Sequence, residues 1–444
     1  MNTDRIFSTI SQIAFRTLGI SILMAGAALG QTPAFVLPAQ GCPMAHCDAR
    51  MSDAVNATPP MKPTILYHDP VPTGSSYGLG CSSNLQVVAC TYHNRNSANL
   101  VVYGSDGHTI FTSGGLLNNT AWTSAPIVDA SGGVIAADNT YLIRYAPDGQ
   151  ILWQAALPGG IPISPVLTAN GFVLVATDGG PISAYSLSTG TLLGMITVTD
   201  AVGRLYLTKN TPAINGNRAY ISMAARINSS YGQLVAIDVD PSNAAAPLSL
   251  KWAFPFGGPS GASPLFIGNM IYFDGAHLTS SGTAGPYMFG LKDLGNTCSL
   301  IWETLMTSPV KANAAQDPRG GLWVFGSGSS VLLRLSETSG AVLQSLDANA
   351  LVNRPFSVGP SSALSIVRGP NGETMMLAGV SSASGSGNPS FAVALNLDSS
   401  RLVWAVQLAN GDMATSQFPI VVNSQGAPIV VFPGVDSGAY FIGD

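Results

Sequence analysis

Between residues 42 and 51 the sequence gathers Cys42, Met44, His46, Cys47 and Met51, a cluster of soft ligands found nowhere else in the chain. Thiolate, thioether and imidazole together suit Cu(I), and cysteine with histidine alone would suit zinc. The spacing completes neither site. Cys-Pro-Met-Ala-His-Cys-Asp lacks a second Cys-x-x-Cys pair, and Asp48 rather than a histidine follows Cys47, so the pattern is not a haem attachment either. The competing reading is a disulfide beside an exposed histidine, which an oxidising compartment would favour. If Cys42, Cys47, Cys81 and Cys90 are all disulfide-bonded, the metal reading is lost.

Those four are the disulfide candidates of a chain with five cysteines, and Cys298 is the expected odd thiol. Cys81 and Cys90 flank a turn placed at Ser82-Ser83-Asn84, which would set Cys90 opposite a residue near Tyr77. Cys81 would then lie about 13 Å away along the strand, too far for a bond. That leaves Cys42 or Cys47 as a partner from outside the hairpin, or a local Cys42–Cys47 link.

The remaining histidines, His68, His93, His108 and His277, fall in separate segments with no base or nucleophile beside them in sequence. There is no serine-nucleophile motif, Walker loop or Gly-x-Gly-x-x-Gly before a helix. Charged residues make up only 9% of the chain and the net charge is −5, so no basic stripe for nucleic acid is available. Forty-nine glycines and 30 prolines beside 46% hydrophobic residues make a turn-rich β composition.

At the N-terminus Arg5 and Arg16 precede an apolar stretch from Leu18 to Leu29, with small residues at Ala28 and Gly30. Such a run is too short to span a bilayer and suits a signal peptide over residues 1–30. Residues 31–62 read as an irregular cysteine-containing extension lying over the main domain, too short for a core of its own. Export to the periplasm or beyond is the expectation, with no membrane span once the leader is removed.

From 63 to 444 the chain repeats itself. Ser124-Ala-Pro-Ile-Val, Gly133-Val-Ile-Ala-Ala, Leu142-Ile-Arg-Tyr and Ile151-Leu-Trp-Gln are followed by Ser164-Pro-Val-Leu, Phe172-Val-Leu-Val-Ala, Ile182-Ser-Ala-Tyr and Thr191-Leu-Leu. Four short strands per period of about 40 residues mark a blade array. The expected fold is all-β, an eight-bladed β-propeller of four-stranded antiparallel blades. The last segment offers only three strands, and the orphan run at 63–68 would supply the fourth and close the ring. A seven-blade count would require one segment to be loops. Trp153, Trp252, Trp302 and Trp404 recur on outermost strands, where a large ring caps the space between blades. Aligning the repeats sets Ser124, Ser164, Thr211, Ser263, Asn313, Ser361 and Gln417 at the channel mouth. These small neutral groups are poorly equipped for acid–base work and would solvate that mouth.

Four-stranded units that open on Ser-Pro or Ala-Pro, place Asp-Gly or Thr-Gly before the last strand and end in a tryptophan resemble the pyrroloquinoline-quinone-type propeller repeat. That superfamily includes periplasmic quinoprotein dehydrogenases and cofactor-free scaffolds. The resemblance implies, for the dehydrogenase branch, two adjacent cysteines and a Glu/Asn/Asp set around calcium, with an aspartate base. This sequence has no Cys-Cys pair. The expectation is therefore an exported, non-enzymatic scaffold without cofactor that binds a protein or cell-envelope component, chiefly through loops 279–285 and 381–387. The alternative is a redox or metal protein using copper or zinc at 42–51, or pyrroloquinoline quinone in the channel.

Overall fold

The computed structural model describes residues 35–71, 76–95, 98–208, 210–259, 261–279, 282–310, 313–326, 329–353, 364–381, 389–409, 417–434 and 438–444. The leader expected at 1–30, Ser361 of the channel-mouth set and most of the 381–387 loop lie outside these residues.

Eight antiparallel sheets form the propeller, and their order in sequence is blade 1 to blade 8. Within a blade the strands run from the axis outward, and burial explains their composition. In blade 3 the second strand, Phe172–Ala176, is covered on both faces by neighbouring blades and reads as an unbroken apolar run. The outermost strand of blade 2, Ile151–Ala156, alternates buried and exposed residues because one face meets solvent.

Ring closure follows the sequence expectation. Strand Thr64–Pro70 pairs with the C-terminal strand Gly438–Gly443, with Thr64 opposite Gly443 and Pro70 opposite Gly438, and completes blade 8. Asp69 on this strand accepts hydrogen bonds from Arg95 and from the Tyr103 hydroxyl of blade 1, and the Tyr92 and Tyr103 hydroxyls lie 2.7 Å apart beneath them. The two chain ends are thus fastened to each other and to the next blade.

The outer-strand tryptophans make the same contact around the ring. Each indole N–H reaches toward the following blade: Trp153 donates to Leu187 O at 3.0 Å, Trp252 to Asp293 Oδ1 at 3.0 Å, Trp302 to Glu337 O at 2.9 Å and Trp404 to Pro60 O at 2.8 Å. Trp302 lies against Gly340, whose φ of +68° and closeness to the ring require glycine, since a Cβ there would stand 2.4 Å from the indole.

Two local readings are corrected. Blade 4 carries an added hairpin, Val198–Thr199 with Leu205–Thr208, laid along Arg218–Ala225; its alternation over only four residues gave little signal. The expected binding loop at 279–285 is largely strand: Met270–Thr279 and Gly282–Asp293 stay paired as far as Thr279 opposite Gly282. Among the described residues no helix is long and apolar enough to cross a membrane.

Candidate functional site in the plugged channel

The expected disposition of residues 31–62 is corrected most sharply. Instead of lying over the propeller, the described part of this extension enters the channel and winds once around the axis. Cys42 exchanges two backbone hydrogen bonds with Ser83 of blade 1, and Pro43 O accepts from Val128 N of blade 2. Ala49 O then accepts from Ile214 N of blade 4, Arg50 O from Phe266 N of blade 5 and Ser52 O from Gln316 N of blade 6. Asp53 O accepts from Ile366 N of blade 7, and Val55 N returns a bond to Ile366 O. The inner edge of a blade carries unpaired backbone groups, and one strand of plug pairs with such groups on six blades in sequence order. Gln417 ties blade 8 into the arrangement through its side-chain amide, which donates to Met44 O and Cys81 O.

So tight a spiral needs left-handed residues, and His46, Cys47, Met51 and Asp53 have φ of +55°, +70°, +60° and +51°. Such conformations cost a non-glycine residue about 1–2 kcal/mol each. Burial of apolar side chains offsets them, because Cys42, Met44 and Met51 have no solvent exposure.

The cysteines settle into two bridges, Cys42–Cys47 and Cys81–Cys90, with Cys298 a half-buried free thiol that burial pushes up to about 11. The exclusion of a Cys81–Cys90 bond rested on a misplaced turn. The hairpin pairs Ser83 with Val88 and Cys81 directly with Cys90. Its turn is centred on Leu85, at φ +74°, and is held by Asn84 Oδ1 accepting from Gln86 N and Val87 N. The metal cluster also comes apart: Cys42 and Cys47 have no thiolate to offer, Met44 packs among Ile127, Ile135 and Trp153, and Met51 packs with Val166 and Leu174.

His46 turns inward and joins the channel-mouth set. Its Nδ1 lies 3.0 and 3.2 Å from the two oxygens of Asp53, and its Nε2 lies 3.5 Å from Ser263 Oγ. Ser263 belongs to a stitched ring, not a solvated mouth. Ala125 N donates to Ser164 Oγ at 2.9 Å, Thr211 N to Ser263 Oγ at 2.9 Å, and Ser263 N to Asn313 Oδ1 at 2.7 Å, each bond crossing from one blade to the next. Ser124, Ser164, Thr211, Ser263, Asn313 and Gln417 are all buried. Several polar atoms there lack a protein partner among the described residues, including Asn313 Nδ2, both side-chain polar atoms of Asn210, and Ser124 Oγ.

Sequence reasoning missed Asp53 and Asn210. Asp53 carried no signal of its own in a stretch that also holds His46, Asp48 and Arg50, and it stands out only once its side chain is known to be fully buried. Burial pushes the Asp53 carboxyl up, and His46 opposes the shift. Asp274, which the register of Leu265 with Tyr272 sets across from Ser263 when continued two residues, is pushed well above the ordinary value by burial. At the rim the balance reverses: burial raises Asp317, but its bonds and charge contacts with Arg319 and Arg334 outweigh that and hold it low.

These shifts have opposite consequences for stability. A carboxyl with a raised folded pKa binds its proton more tightly folded than unfolded, so its contribution declines as pH climbs from about 4 through the raised value. The Asp317 contribution is instead lost as pH falls below about 4. Replacing Asp53 by Asn, which keeps the volume and removes the titration, is therefore expected to flatten the decline in melting temperature above pH 4 and leave the acid limb unchanged. A melting curve as steep as wild type above pH 4 would assign that decline elsewhere.

On the far side of the plug lies a recess of about 880 Å³. Its floor is formed by residues from 37 to 58, and its rim includes Leu85, Pro318, Arg368 and Gly426, all at or just beyond the ends of inner strands. Arg50 and Asp48 pair across the floor at 2.9 Å. His46, Asp53 and Ser263 do not line it.

Residues 130–245, which span blades 2 and 3 and most of blade 4, match the family model described as outer membrane protein assembly factor BamB. The solved structures similar to this chain include the quinohemoprotein alcohol dehydrogenase from Comamonas testosteroni. It shares 10% identity and a TM-score of 0.62, over 91% of this chain and 80% of that one. A europium-containing methanol dehydrogenase shares 11% identity and a TM-score of 0.59 over 90% of both chains. The computationally designed Ika8 protein shares 13% identity and a TM-score of 0.54, over 87% of this chain and 99% of that one. At these identities the likeness shows the fold alone. No curated protein sequence matches the chain significantly.

The residues of this propeller do not fit the calcium and quinone that the resemblance to the dehydrogenase branch implies. A calcium site needs several converging oxygen ligands, and the Asp53 carboxyl is already taken up by His46 Nδ1. Adjacent cysteines are absent from the sequence, and among the described residues no three His, Cys, Asp or Glu side chains are grouped to hold a metal.

Proposed function

We propose that the protein is an exported binding scaffold that holds a protein or cell-envelope component in the recess floored by residues 37–58. One observation carries this reading: the chain fills its own channel from blade to blade, which turns one end of the axis into a shallow concave surface with a fixed floor. Concave surfaces that combine backbone polar groups with a few charged side chains are the usual places for ligand contact. Here the floor supplies carbonyl and amide groups, Asn56 and the Arg50–Asp48 pair, and the rim supplies Arg368. The family model matched by residues 130–245 adds support, since its description is that of an outer membrane protein assembly factor. Two disulfides support an oxidising location, periplasmic or secreted.

A photo-crosslinking amino acid at Asn56 or Arg368, introduced into the protein in its native host, tests this. The expected result is one discrete crosslinked species from both positions, and none from Leu343 on an exposed outer strand. Equal crosslinking from all three, or none from the recess, would remove the recess as the binding surface.

A further inference from the structure

From the contacts of His46 we propose that Ser263, His46 and Asp53 form a serine-nucleophile site that cleaves small uncharged esters. The three residues come from the plug and from blade 5, which explains why no linear motif announces them. The imidazole is held by the carboxylate on one nitrogen, at 3.0 Å, and faces the serine hydroxyl with the other, at 3.5 Å. Nucleophile, base and orienting carboxylate stand in the order that acyl transfer requires, and a hydroxyl–imidazole bond of this length commonly shortens when substrate binds.

The neighbours of Ser263 support the role. Thr211 N–H donates to Oγ, so the hydroxyl proton is left for Nε2, and the same N–H stabilises negative charge as it develops on the oxygen. Asn313 must present Oδ1 to Ser263 N, because a backbone N–H can only donate. Its Nδ2 is buried and without a protein partner among the described residues, on the same amide group that holds Ser263 N. His46 and Asp53 are both held in left-handed backbone, the kind of strain that collects at functional positions. The two residues bonded to Ser263, Thr211 and Asn313, are polar and uncharged, which sets the substrate class.

In the reaction Ser263 Oγ bonds to the ester carbonyl carbon as its proton passes to His46 Nε2. The carbon–oxygen bond to the leaving alcohol breaks, and that alcohol takes the proton from Nε2. Water then attacks the acyl group, giving one proton to Nε2 and releasing the acid as Oγ recovers its hydrogen. Asp53 acts as a positioning residue throughout.

The test is a fluorophosphonate probe on the disulfide-bonded protein, in which an Oγ–phosphorus bond replaces phosphorus–fluorine and HF leaves. A single adduct mapped by mass spectrometry to Ser263 is expected, and it should be absent in Ser263→Ala. His46→Gln should slow labelling by roughly 10²-fold. Asp53→Asn should lower kinact by about tenfold or more at unchanged KI, in protein that still melts cooperatively. Ser164→Ala removes a hydroxyl that accepts a backbone N–H in the same way but has no histidine partner among the described residues, and it should label as wild type. No adduct at Ser263 in protein that melts normally, or full-rate labelling in His46→Gln, overturns the proposal. Neither result bears on the recess, whose crosslinks are read separately.

Discussion

Deletion of residues 35–70 is expected to abolish cooperative folding, not merely to lower the melting temperature. This segment supplies the plug and the strand that closes the ring. Met44, Met51 and Val55 are buried in the folded protein. Together they represent about 5–9 kcal/mol of apolar transfer at about 1.5–3 kcal/mol per side chain, against a typical net stability of about 5–15 kcal/mol. The deletion also leaves the inner edges of six blades without their backbone partners and uncovers the apolar edge Ala439-Tyr-Phe-Ile442, a template for pairing with other chains. Calorimetry should show no cooperative transition, and gel filtration should show aggregates. A monomer that melts as sharply as wild type would mean that the blades close without either element. Deletion of 35–57 alone spares the closing strand, and that variant should fold with a lower melting temperature.

Trp302→Ala is expected to cost about 3–5 kcal/mol, as large-to-small changes at well-packed aromatic positions do. The indole is only 7% exposed, stacks near Tyr272 with centroids 5.8 Å apart, and spans from blade 5 to the Gly340 turn of blade 6. Its loss leaves a cavity between two blades and leaves Glu337 O to the Tyr272 hydroxyl alone, at 3.2 Å. Chemical denaturation should show a lower midpoint with an unchanged slope, whereas a cost under about 1 kcal/mol would mean that the blades reclose over the gap. The equivalent changes at Trp153 and Trp404 lie in other inter-blade seams and should add to it nearly independently.

The architecture was legible in the sequence for a simple reason. Each blade repeats the same solution to the same packing problem, so apolar runs, turn residues and the outer tryptophan recur at a fixed interval, and the three-stranded last segment advertised its missing partner. Reading Cys81 and Cys90 failed on a turn shift of about two residues, because Asn84 and not Ser82 caps the hairpin, and a small slip in register moves every partner along the strand.

The candidate site was legible only in pieces. His46 and Ser263 each stood out, one in a soft-ligand cluster and one in a row of aligned repeats, but 217 residues separate them and the alternation of a strand says nothing about what enters a channel. The sequence by itself determined the eight blades, the closing strand and the aromatic seams, because these follow from local periodicity and burial. Only the tertiary structure decided that residues 42–55 serve as a plug. That outcome depends on the unpaired inner edges of six distant blades, whose backbone groups carry no residue code and so leave no trace in the chain that satisfies them.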